Sequence, residues 1–81
     1  METRISVVGI IIEDLTSIPA VNNILSEYNH VIIGRMGLPY KEKNLRIISI
    51  VIDGSTDIIS AITGKIGRLQ GVSVKAAISK R

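Results

Sequence analysis

Apolar residues recur along this chain with two periods. From Ile5 to Ile12 one alternating row is Ile5, Val7, Gly9 and Ile11, and the other is Ser6, Val8, Ile10 and Ile12. From Leu45 to Ile52 the rows are Leu45, Ile47, Ser49 and Val51, and Arg46, Ile48, Ile50 and Ile52. Successive side chains of a strand leave opposite faces of a sheet, so two rows rich in Ile and Val predict strands covered on both sides. Val31 to Met36 predicts a further strand, interrupted by Gly34 and Arg35. Val72, Val74, Ala76 and Ile78 alternate with Ser73, Lys75, Ala77 and Ser79, which predicts a half-buried strand.

Helical spacing fills the gaps. Ile18, Val21, Leu25 and Tyr28 share one face, as do Ile58, Ile59, Ile62, Ile66 and Leu69. Glu13 to Pro19 carries helix-start chemistry, with small oxygen-bearing side chains and then Pro in the first turn. Ser55 is the N-cap candidate of the second helix, and Gly71 suits the C-terminal cap that ends it. Gly37 to Asn44 begins with Gly and Pro and continues with charges, so it predicts an exposed hairpin loop. A shift of 40 or 41 positions lays Ile12 on Ile52, Val21 on Ile62, Leu25 on Ile66 and Val31 on Val72, so the chain is two strand-helix-strand units.

The order βαββαβ is the ferredoxin-like split unit, an α+β sandwich with a four-stranded antiparallel sheet and two helices on one face. Right-handed crossovers put the first and third strands in the middle, where the doubly apolar segments belong. Two short helices cover one face, and the other must find cover elsewhere. We expect a second copy of the chain to supply it, as a dimer or tetramer, with Val8, Ile10, Ile48 and Ile50 in the covered row. If six aliphatic side chains line that face, burying each fully is worth about 1.5–3 kcal/mol, part of which the cost of association offsets.

Size supports this expectation. Eighty-one residues make a single domain, residues 1–81, and a chain this short is marginal without disulfides, metal or association. There is no Cys, which leaves association. The core is aliphatic, since Phe and Trp are absent and Tyr28 and Tyr40 are the only aromatics. The longest apolar runs fall far short of the roughly 20 residues that span a bilayer. No secretory signal pattern is present, so the expected location is the cytoplasm. A net charge of +3, spread along the chain, suits solubility better than nucleic-acid binding. RNA recognition on such a sheet needs stacking aromatics that the central strands lack. DNA readout needs a reading helix or ribbon beyond the six elements.

Candidate chemistry is sparse. We expect no catalytic residue and no cofactor. His30 is the only imidazole and follows Asn29 at a helix end, where the helix dipole favours a cation; as a metal ligand it has no companions in one copy. Gly64 and Gly67 lie inside a helical stripe, either for close approach of a neighbouring backbone or as a flexible helix end. Glu13 and Asp14 sit at the end of the first strand, as helix caps or as ligand groups. Gly34-Arg35-Met36-Gly37 reaches the same end of the sheet and sets a guanidinium between two glycines, which either admits an anion close to backbone or guards an edge strand. These six residues are the candidate ligand site.

Ile5-Ser6-Val7-Val8-Gly9-Ile10-Ile11, Val31 to Pro39, and the strand ending Val51-Ile52-Asp53-Gly54 resemble ACT-like regulatory domains. Within that group nearly the whole chain resembles the small family named for regulation of the iron-only hydrogenase system. The resemblance implies a stand-alone ACT-like regulatory protein that binds an effector or a partner protein. The C-terminal domain of nickel-responsive repressors shares this architecture and binds metal through His and Cys. One His and no Cys mean that nickel sensing does not carry over. Two other readings are a small ferredoxin-like hydrolase using Arg35 on an anionic substrate, and a purely structural assembly module.

Overall fold

The computed structural model describes residues 2–81. Strand β1 (Arg4–Ile12) leads through a short turn of 3-10 helix (Leu15–Ser17) into helix α1 (Ile18–Glu27). Strands β2 (Ile32–Tyr40) and β3 (Leu45–Gly54) form a hairpin, and helix α2 (Thr56–Gly67) and strand β4 (Val72–Ile78) complete the βαββαβ order. The sheet order is β2-β3-β1-β4 with every neighbouring pair antiparallel, so the two doubly apolar segments occupy the centre.

Register decides which row goes where. Val8, Ile10 and Ile12 of β1 lie beside Ile50, Ile48 and Arg46 of β3. This face carries the helices. Val8, Ile10, Ile12, Ile48, Ile50 and Ile52 pack with Val21 and Leu25 of α1 and with Ile59, Ile62 and Ile66 of α2, none more than 2% exposed. The expectation that Val8, Ile10, Ile48 and Ile50 face a second copy is therefore corrected, because they are the core of a single copy. The reason is bulk. Between Ser6 at one end and Arg46 at the other, the core row is continuous Ile and Val on both strands, whereas the other row is interrupted in its middle where Gly9 meets Ser49. Continuous branched side chains fill the space under the helices with fewer voids.

The caps follow the local chemistry. Ser55 Oγ accepts from the Ile58 amide at 3.2 Å and starts α2. Pro19 lies in the first turn of α1. Ser17 does not cap α1; its hydroxyl donates to the Gln70 carbonyl at 2.7 Å and joins the two crossovers. Gly71 reinforces the same junction, accepting from the amides of Glu13 at 2.7 Å and Asp14 at 3.3 Å. Its φ is +69°, and a Cβ there would lie 2.5 Å from Asp14 Cβ and 2.8 Å from Asp14 N. Gly71→Ala is therefore expected to cost more than the roughly 1–2 kcal/mol of left-handed backbone alone, read as a lower midpoint in urea. An unchanged midpoint would mean that the junction relaxes freely.

Two further expectations change. β2 runs on through Gly37, Leu38 and Pro39 to Tyr40, and only Lys41–Asn44 turn the hairpin, with Asn44 at φ 55°. Pro is tolerated here because β2 is an edge strand. β2 also carries a bulge between Ile32 and Gly34. Gly64 and Gly67 have nothing within 4 Å of where a Cβ would stand, so no close approach accounts for them. Lys65 of α2 lies over the Tyr28 ring, 4.9 Å from its centre, and 3.2 Å from Glu27 Oε2. Tyr28 first and Glu27 second raise the pKa of the ammonium. Among the described residues no helix is long and apolar enough to cross a membrane.

Candidate functional site

Two regions carry unexplained surface, the helix-free face of the sheet and the end where β1 and β2 finish. On the helix-free face β1 presents Ile5, Val7, Gly9 and Ile11, paired with Asp53, Val51, Ser49 and Ile47 of β3. β2 adds Met36 and Leu38 beside Ser49 and Ile47. Ile5, Val7, Ile11, Met36 and Leu38 are 39%, 50%, 45%, 59% and 48% exposed. The face has a depression of about 240 Å³ over Gly9, walled by Ile11, Ile47, Ser73 and Lys75. A Cβ on Gly9 would meet nothing within 4 Å, so the missing side chain creates the hollow.

The six candidate ligand residues do not converge. The Glu13 amide is bound to Gly71, and its residue is exposed. Asp14 is a cap. Its Oδ1 accepts from the Thr16 hydroxyl and, at 3.0 Å, from the Thr16 amide. Those two bonds, the hydroxyl's first, hold the carboxyl below its ordinary pKa of 3.8. Arg35 lies on the helix side and donates from Nη2 to Asn22 Oδ1 of α1 at 2.8 Å. Gly37 shares that side, paired with Ile48, whereas Gly34 and Met36 lie on the helix-free face beside Val51 and Ser49. Strand alternation divides a cluster that is contiguous in sequence. Among the described residues no group of three or more His, Asp or Glu gathers to hold a metal.

The same end of the molecule does hold a hollow, built from other residues. A depression of about 190 Å³ lies between the start of α1 and the β2–β3 hairpin. Leu15, Ile18, Pro39 and Leu45 line its apolar part, and Tyr40, Lys41, Asn44 and Arg46 its polar part. Arg46 is the one charged member of the row that continues as Ile48, Ile50 and Ile52. That break in an otherwise apolar row was the sequence signal for this hollow.

Strand order, antiparallel register and two helices on one face define a ferredoxin-like α+β fold. A family model described as "TM1266-like: Iron-only hydrogenase system regulator, putative" matches residues 4–76, and the chain belongs to that family. Among solved structures, the chain is similar to the uncharacterized protein TM1266 from Thermotoga maritima, with 35% identity, a TM-score of 0.93, and coverage of 98% of this chain and 100% of that one. It is also similar to CPII from Thiomonas intermedia K12, solved bound to ADP, AMP and acetate, with 14% identity and a TM-score of 0.51 over 100% of this chain and 94% of that one. At that identity the likeness is one of fold. No curated protein matches the chain.

Proposed function

We propose that this chain is a cytoplasmic regulatory protein that works as a homo-oligomer, with the helix-free faces of copies packed together. We further propose that it responds to a small effector or a partner protein at the end where β1 and β2 finish. The observation that carries this reading is the exposed apolar row Ile5, Val7 and Ile11, flanked by Met36 and Leu38. Soluble monomers seldom leave contiguous apolar patches beyond about 300–600 Å² uncovered. The interface lies on Ile5, Val7, Ile11, Ile47 and Val51, and the hollow over Gly9 receives a side chain of the second copy. Support for regulation comes from the family, whose description names a regulator of the iron-only hydrogenase system. We assign no DNA-reading element among the described residues, because each strand and helix is used in the sheet or its cover.

Light scattering across micromolar to millimolar concentration tests the assembly. We expect a mass that is a whole multiple of 8.8 kDa, as a dimer or tetramer. A single-copy mass at millimolar concentration would reject it.

A further inference from the structure

The hollow between α1 and the hairpin is lined by one partly buried residue, Arg46, whose cation has no counter-charge. Arg46 pairs along the sheet with Ile12 and Pro39, on the side that carries the helices. Ile48 along the row and Ile12 across from it are core residues, yet among the described residues its guanidinium has no hydrogen-bond acceptor and no ion-pair partner, the single ion pair being Lys65–Glu27. Arg35 on the adjacent strand, by contrast, is satisfied by Asn22. Lys41 stands on the same rim, and none of the residues lining the hollow is acidic. The nearest hairpin carboxylate, Glu42, faces the Tyr40 hydroxyl at 3.4 Å.

An unpartnered guanidinium beside an apolar wall gains most from a planar bidentate acceptor, which a carboxylate is. The remaining wall is apolar, formed by Leu15, Ile18 and Leu45. A bare inorganic anion would leave that wall wet, and a neutral apolar molecule would leave Arg46 unpaired. A volume of about 190 Å³ is smaller than the hollows that take drug-sized ligands, which start near 300 Å³. We propose that this hollow is the effector site and that it takes a small carboxylate with an apolar body. Arg46 grips the carboxylate, Lys41 adds charge, and Leu15, Ile18 and Leu45 receive the hydrocarbon. The inference rests on the effector half of the function proposed above. It does not depend on the assembly.

Benzoate is the probe, with benzamide as its neutral counterpart and acetate as the same charge without the body. In amide NMR titrations we expect benzoate to bind with a dissociation constant on the order of 1–10 mM, as a half-enclosed fragment does. The largest shifts should fall at Leu15, Tyr40, Asn44 and Leu45, with benzamide and acetate each at least about tenfold weaker. Arg46→Gln should weaken benzoate about tenfold and Lys41→Gln by less, while Arg68→Gln, at the end of α2 and outside the lining of the hollow, should change nothing. Spectra of each variant report its fold directly, and the Lys41 variant carries the test if the Arg46 variant fails to fold. Equal binding of benzamide, shifts located elsewhere, or equal losses in the Arg68 and Lys41 variants would overturn the inference. Light scattering on the same samples separates the two proposals. An oligomer without benzoate shifts removes the carboxylate site alone, and a monomer with them removes the assembly alone.

Discussion

Lysine at both Val7 and Ile11 is expected to yield a folded chain with the mass of one copy, 8.8 kDa. Both positions are on the helix-free face of the central strand β1, with Val51 and Ala77 flanking Val7 and Ile47 and Ser73 flanking Ile11. Each is about half exposed in a single copy. A lysine there extends its stem over the sheet and keeps its ammonium in water, so the cost to folding of one copy stays near the ±0.5 kcal/mol typical of surface changes. Against a second sheet the same lysines are buried without partners, which costs several kcal/mol per ion. Mass and far-ultraviolet circular dichroism together read the result, with the mass falling and the spectrum holding. A double variant that keeps the wild-type oligomer mass would place the interface elsewhere on the molecule.

The opposite outcome is expected one face away. Ile50→Ala removes a fully buried side chain beside Val8 of β1 and Arg35 of β2, under the helices. Truncations of this kind cost about 2–5 kcal/mol, against total stabilities of about 5–15 kcal/mol for natural domains. For a chain of this size the melting temperature should fall by roughly 8–40 °C. Protein concentration must be fixed in the comparison, because association adds to apparent stability. Ile50→Lys should not fold at all. If Ile50→Ala melted within a degree or two of the wild type while dissociating the oligomer, the assignment of the two faces would be reversed.

Those two experiments differ by the parity of a residue number, and parity was the hardest thing to read in the sequence. Element order, crossover handedness and the central place of β1 and β3 follow from period and composition, because only strands covered on both sides accept two rows of Ile and Val. Which row meets the helices does not follow from hydrophobicity when both rows are apolar. The distinguishing mark is Gly9 opposite Ser49, a gap in volume and not in polarity. Pro39 misled in another way. Proline signals a loop in most contexts, but on the outer side of an edge strand its missing amide is no loss, so β2 continues past it. The six candidate ligand residues come from two short segments, Glu13-Asp14 and Gly34 to Gly37, at the correct end of the sheet, whereas the hollow there is lined by Leu15 and Ile18 and by Pro39 to Arg46 of the hairpin. Adjacency in sequence separates side chains on a strand, and adjacency in space had to come from the register.

The bulge between Ile32 and Gly34, with Pro39 further along the same strand, has a consequence for how copies can accumulate. A straight, fully hydrogen-bonding border would let sheets join rim to rim without limit, as fibrils do. β2 is twisted at one end and lacks a donor near the other, so its rim is a poor template for another strand. At this rim open-ended growth is disfavoured, and in the face-to-face assembly proposed above one partner uses up the apolar surface, so that such a complex closes at a small, countable number of chains.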